Sequence, residues 1–177
     1  MRKRYIKAEE GSENSVVYYD EDGNQLIRHW KRYKGQPVSE ASTRSWRNNN
    51  PGNLVYNKLN RERGAIGNAG KDGDGYVLAV FPDYATGRKA QWLLLKGSKY
   101  INLTLHDLPR KYLGLKIDTQ KVKDYRNSIH SFTKFDMERT IASLSEWEFA
   151  KLLDAMQNHE GWREGREEYI KVMDDKR

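Results

Sequence analysis

Cysteine is absent from this chain. That excludes disulfides, a thiol nucleophile and cysteine-ligated zinc. It suits the cytosol, or a protein that folds without oxidation and then works elsewhere. Long apolar runs are absent as well, and none approaches the ~20 residues needed to span a bilayer. Met1-Arg2-Lys3-Arg4 leads into no apolar region, so it does not read as a signal peptide. A role outside the cytoplasm would then require another export route, or release from a longer chain. Histidine is scarce: His29, His106, His130 and His159 are the only 4, and none forms a spaced metal-binding pair. There is no glycine-rich phosphate cradle and no nucleophile elbow around a serine. These absences predict no metal and no cofactor. An enzyme built from this sequence is left with carboxylates.

Apolar residues supply 37% of the 177 positions and charged residues 32%, which predicts a small core and a wet surface. The 5 Trp and 11 Tyr offset this, since each buries a large area. The net charge of +7 calls for an acidic partner. The cations are scattered, apart from residues 1–4 and 28–34. No nucleic-acid-binding module is recognisable, so neither a nucleic acid nor a membrane is expected as the partner.

Read in order, residues 1–14 are polar and predict a flexible N-terminal segment or linker. Residues 15–19 and 25–30, rich in β-formers, flank the turn Asp20-Glu21-Asp22-Gly23-Asn24 and predict a hairpin. The turn's acids invite a calcium reading, but Gly23 is misplaced for an EF-hand loop and no closing glutamate follows. Residues 57–75 read as irregular, with Asp72 and Asp74 in a second glycine turn. Residues 76–81 form the clearest strand. Asp83 caps a helix over 84–95, Thr104 one over 105–112, and Thr119 another whose face carries Val122, Tyr125 and Ile129. Asp136 opens a short helix with Met137, Ile141 and Leu144. Ser145 and Glu148 form a capping box for a helix ending near His159, and Gly161 stops it. The tail reads as helical or frayed. The layout is α+β: an N-terminal β-hairpin and a central strand followed by several short α-helices, with residues 15–177 as a single domain.

The chain is organised around Arg44-Ser45-Trp46-Arg47-Asn48-Asn49-Asn50-Pro51-Gly52-Asn53. Pro51 drives Asn50 into an extended conformation, and Gly52 permits a backbone sign that other residues resist. Such a loop either displays its amides to a hydroxyl- and acetamido-rich ligand or folds them back on itself as a surface turn. Two carboxylates stand out. Glu160 follows the apolar stripe of the last helix at the negative end of its dipole, just ahead of Gly161 and Trp162. That setting favours a neutral acid. The alternatives are a pair with Arg163 or Arg166, or a strut for the asparagine loop. Glu40 stands in a loop four residues before Arg44, where nothing in the local pattern requires a glutamate. A solvated surface side chain is its ordinary reading.

The run Glu40-Ala41-Ser42-Thr43-Arg44-Ser45-Trp46-Arg47-Asn48-Asn49-Asn50-Pro51-Gly52-Asn53 resembles the motif of a bacterial and phage family of peptidoglycan-degrading, lysozyme-like domains. Further segments fit in the same order: Gly64-Ala65-Ile66-Gly67, residues 75–87, residues 100–105, and residues 155–162 with Glu160-Gly161-Trp162. The likeness spans about residues 40–165 and is nearest to the C-terminal lysozyme domain of bifunctional type VI secretion effectors. Ala41 and Ser42 stand where two glycines are common in the family.

The resemblance implies a lysozyme-like fold and a muramidase that cuts the β-1,4 bond between N-acetylmuramic acid and N-acetylglucosamine. It makes Glu40 the first candidate for the acid and Glu160 the second. Trp46, Arg47, Asn48, Asn49, Asn50, Asn53, Tyr84 and Trp162 become candidate substrate contacts. It also implies an antibacterial toxin, made in the bacterial cytoplasm and delivered to a target cell's periplasm. An immunity protein and a secretion-system carrier would be its partners beside peptidoglycan. Lytic transglycosylase chemistry stays open, as does a non-catalytic wall-binding or phage baseplate module. A basic nucleic-acid binder and a wall amidase rank below these.

Overall fold

A computed structural model describes residues 4–173. Those residues form a mixed α+β structure with a six-stranded sheet and six α-helices. The chain divides into two compact units, Met1–Ala90 with Gly161–Arg177, and Gln91–Glu160.

The first unit carries the sheet. Strand β2 (Val16–Asp20) buries Val16 and Tyr18 and leaves their neighbours half-covered, the period-two pattern of a strand with one inward face. It pairs antiparallel with β1 (Tyr5–Glu10) on one side and β3 (Gln25–Arg28) on the other. The expected hairpin is therefore present. Its turn uses up the Asp20 carboxylate, which accepts from the amides of Asp22 and Asn24 and from the Asn24 side chain, each at 2.9 Å. Strand β4 (Gly67–Lys71) joins β1 in parallel at Ala8 and Gly67, and β5 (Val77–Val80) pairs antiparallel with β4. Strand β6 (Glu167–Ile170) closes the order β5-β4-β1-β2-β3-β6. The glycine at 67 is forced, because a β-carbon there would lie 1.9 Å from the carbonyl oxygen of Ala8. Ala8, Val16, Tyr18, Leu26, Ala69 and Val80 make this unit's apolar cluster.

Three segments depart from the sequence expectations. Tyr5–Glu10 lies in residues expected to be a flexible segment, yet it is a strand. Only Ala8 is buried there, so its apolar alternation is almost silent. The tail, expected to be helical or frayed, supplies β6, whose glutamates face Arg28 at 3.7 Å and His29 at 3.4 Å. Residues 57–75 are not irregular. Helix α2 (Lys58–Glu62) starts where the Asn57 side chain accepts from the Asn60 amide at 2.8 Å, and β4 follows.

The second unit is helical. It holds the last part of α3 (Tyr84–Lys96), all of α4 (Leu108–Tyr112), α5 (Gln120–Thr133) and α6 (Glu146–Glu160). Leu95, Ile129, Phe149, Leu152, Leu153 and Met156 are fully buried in its core. The caps predicted at Asp83, Thr119 and Ser145 form, whereas the helix expected over 105–112 behind Thr104 reduces to α4, with Asp107 at its N-cap. Asp83 accepts from the Thr86 amide at 2.8 Å, and Thr119 from Val122 at 3.4 Å. Ser145 and Glu148 exchange bonds of 3.0 and 3.3 Å. Gly161 follows α6 with φ +85°, the left-handed turn that ends a helix. The helix expected after Asp136 reduces to the 3-10 turn Ile141–Ser143.

Candidate functional site

Helix α1 (Arg44–Arg47) is one turn long and runs directly into the asparagines. Asn49 and Asn53 adopt φ +50° and +48°, left-handed conformations that asparagine tolerates better than most residues. The expected special position, Gly52, is not one of the residues with positive φ. The amides turn inward. Asn50 is fully buried; its Nδ2 donates to the carbonyls of Leu54 and Ala79 at 2.9 Å each, and its Oδ1 accepts from the Leu54 amide at 2.8 Å. Asn49 Nδ2 donates to the Phe81 carbonyl at 3.2 Å, and its Oδ1 accepts from Arg28 at 2.8 Å. The backbone carbonyl of Asn48 accepts from the Phe81 amide at 2.9 Å. The loop expected to display Asn48, Asn49 and Asn50 to a ligand instead binds them to β5 and the chain after it. Arrays of amide donors satisfy buried backbone groups as readily as they satisfy sugars.

Trp46 and Arg47, expected as substrate contacts, are also inside, at 3% and 5% exposure. The Arg28 guanidinium stacks 4.5 Å from the centre of the Trp46 ring and bonds to the Trp46 carbonyl. Tyr18, its pKa raised by burial, donates to the Arg47 carbonyl. Arg47 Nη1 donates to the carbonyl and hydroxyl of Ser42 at 2.6 and 3.1 Å. No carboxylate pairs with Arg47 among the described residues, and burial, then the nearby charge of Arg44, lowers its pKa to about 10. Ser42 is thus a working residue. Its hydroxyl also donates to the His29 carbonyl at 2.7 Å.

The same loop collects two other parts of the motif. Gly87 of α3 meets Asn49 so closely that a β-carbon would lie 1.9 Å from the Asn49 carbonyl oxygen. The Ser45 hydroxyl donates to the carbonyl of Gly161. Thr43 and Arg163 then bond in both directions, at 3.0 Å from the Thr43 amide and 2.9 Å from the Arg163 amide. These contacts hold the residues on both sides of Trp162. Its ring meets Tyr84 edge-on, centroids 5.2 Å apart, and both side chains keep solvent exposure.

Glu40 ends the 3-10 turn Val38–Glu40. Its backbone is held from two directions. Gln36 Nε2 donates to the Glu40 carbonyl at 3.2 Å, and Arg163 Nη1 donates to the carbonyls of Ser39 and, at 3.2 Å, Ala41. Its side chain is exposed and accepts no hydrogen bond from the described residues. The arrangement is a carboxylate unbonded among the described residues, on a backbone tied to Arg163, the residue that follows Trp162.

Glu160, the last residue of α6, belongs to the second unit. Two phenols keep it company there. Burial pushes Tyr112 and Tyr125 well above their ordinary values, and the Glu160 charge raises both further. Tyr125 stacks on His159, ring centroids 3.9 Å apart. His159 shares a 2.8 Å hydrogen bond with the Ser128 hydroxyl.

No protein-family model matches the chain, and no curated protein matches it. Among the described residues no group of three or more His, Asp or Glu side chains could hold a metal ion, and no helix is long and apolar enough to cross a membrane.

Of the residues named from sequence, Glu40, Tyr84 and Trp162 lie in the first unit and keep solvent exposure, and Tyr84 and Trp162 meet each other. Trp46, Arg47 and Asn48 to Asn50 are buried. Sequence reasoning missed Arg28, Gln36 and Arg163. Their bonds run mostly to backbone carbonyls, a role that leaves no spacing pattern along the chain.

Proposed function

We propose that the protein is a peptidoglycan glycoside hydrolase of lysozyme-like fold, with Glu40 as its general acid. The observation that carries this reading is the placement of Glu40. A carboxylate with no hydrogen-bond partner among the described residues stands on a backbone held by Gln36 and by Arg163, and Arg163 directly follows Trp162, whose ring meets Tyr84. An unpaired acid held in place suits proton donation to a glycosidic oxygen. Exposed aromatic faces suit the apolar faces of sugar rings. The net charge of +7 favours a wall polymer that carries peptide carboxylates.

In the proposed reaction the Glu40 carboxyl protonates the oxygen between N-acetylmuramic acid and N-acetylglucosamine. The C–O bond breaks toward an oxocarbenium-like state, and Glu40 is left as a carboxylate. That carboxylate then takes a proton from the incoming nucleophile, which restores the acid. Water as nucleophile gives a reducing sugar end. The muramyl 6-hydroxyl gives an anhydro end, as in a lytic transglycosylase. Glu160, at the end of α6 in the second unit, is the other candidate for the acid. The delivery of such a toxin through a type VI secretion system, with an immunity protein in the producing cell, belongs to the same proposal.

Digestion of purified peptidoglycan, with the soluble products weighed by mass spectrometry, tests this reading. Disaccharide muropeptides support it, and the mass of the sugar end distinguishes hydrolysis from anhydro formation. Tight sedimentation with insoluble wall and no soluble product would instead leave a wall-binding or baseplate module.

A further inference from the structure

Residues 30–42 leave the sheet and return to it as a closed excursion. Its ends are joined where the Ser42 amide donates to the Trp30 carbonyl at 2.8 Å. Two polar residues of the excursion are buried, Ser42 at its closing end and, inside it, Gln36 at 6% exposure. Its neighbours Tyr33 and Val38 are 61% and 64% exposed, so apolar packing does not hold the segment together. Gln36 does so with both ends of its amide. Oε1 accepts from the Arg32 amide at 2.6 Å, and Nε2 donates to the Glu40 carbonyl at 3.2 Å. Its own backbone amide donates to Tyr33 at 3.3 Å. Glutamine is required by this chemistry, since one group must accept at one end and donate at the other.

We infer that Gln36 is the positioning residue of the acid: its buried amide braces the excursion internally and fixes the peptide from which the Glu40 carboxyl projects. The inference rests on the proposed glycosidase reading. Gln36 acts through Glu40 and does not touch substrate. Replacing it by glutamate keeps the shape and the acceptor for Arg32. The Glu40 carbonyl then loses its donor and faces a second acceptor, with a new negative charge one short turn from the acid. Replacing it by alanine removes both bonds.

The test is the initial rate of muropeptide release from solubilised glycan strands by wild type, Gln36→Glu and Gln36→Ala, over a range of pH. Thermal unfolding is measured in parallel. Misplacing a reacting group by about 1 Å costs up to about 100-fold in rate. We expect Gln36→Glu to lower kcat roughly 10- to 100-fold with KM within about twofold, to unfold within a few degrees of wild type, and to shift the acid-dependent limb of its pH profile upward. Gln36→Ala should lose a comparable share of kcat without that shift. A Gln36→Glu enzyme with wild-type kcat and pH profile would overturn the inference while leaving the glycosidase reading intact. Equal losses of kcat and of folded protein would also overturn it, because they mark a merely structural glutamine. A wild type that releases no muropeptide overturns the reading itself, and the inference with it.

Discussion

The α-carbon of Gly87 faces the carbonyl of Asn49 so closely that no other residue fits between α3 and the asparagine loop: an added β-carbon would stand 1.9 Å from that oxygen. In most helices Gly→Ala stabilises by about 1 kcal/mol. Here the sign reverses. Gly87→Ala is expected to destabilise by about 3 kcal/mol, because the clash is with backbone and one element must move. Gly73→Ala, with nothing within 4 Å, is the control and should leave stability near wild type. Urea unfolding of both variants measures the difference.

Asn48 and Asn50 are equally buried, at 0% exposure, but differently employed. Asn50→Ala strips a side-chain partner from the Leu54 amide and from the Ala79 carbonyl and leaves the Leu54 carbonyl with the Ala79 amide alone, an expected loss of about 2–4 kcal/mol. Among the described residues, neither side-chain polar atom of Asn48 has a protein partner. Asn48→Ala should therefore cost about 1 kcal/mol or less. A calorimetric or denaturant comparison in which Asn48→Ala is the worse variant would show that this amide has work the protein contacts do not reveal.

His159 gives the second unit a pH dependence. Burial lowers its pKa below the ordinary value of 6.5, while the charge of Asp124 acts in the opposite direction. Below about pH 6.5 the unfolded chain takes up a proton that the folded chain still refuses. Stability is thus greatest above that pH and falls as the pH drops toward the folded-state value. Glu148 adds a second acid-sensitive group. Arg139 and the Ser145 amide hold it at about 2, so its contribution is lost as the pH falls from about 4.5 toward 2. Unfolding midpoints measured from pH 8 to 5 should decline for wild type, and decline less for His159→Gln.

The elements most legible in the sequence were those with local chemistry. Asp83, Thr119 and the Ser145–Glu148 box cap helices because their bonds are made within four residues. The hairpin of β2 and β3 announced itself through Val16, Tyr18 and the Asp20 turn. β1 and β6 stayed hidden, because strands with charged outer faces carry little alternation, and their pairing is decided by partners far away in the chain. The candidate site divides the same way. Glu40, Tyr84 and Trp162 could be named from the motif. That the asparagines face inward could not, since a side-chain amide reads alike whether it meets a ligand or the carbonyl of Ala79. Arg163, bonded across more than a hundred residues to Ala41, is visible only in three dimensions.

The central claim is that Glu40 is the acid of a glycosidase, and the most direct test is Glu40→Gln. Purified peptidoglycan should yield disaccharide muropeptides with wild type. It should yield none above background with Glu40→Gln, whose circular dichroism should match wild type because the Glu40 side chain has no hydrogen bond to lose among the described residues. Loss of activity in Glu160→Gln alone would move the acid to the end of α6. A folded Glu40→Gln that still releases muropeptides at the wild-type rate would contradict the account.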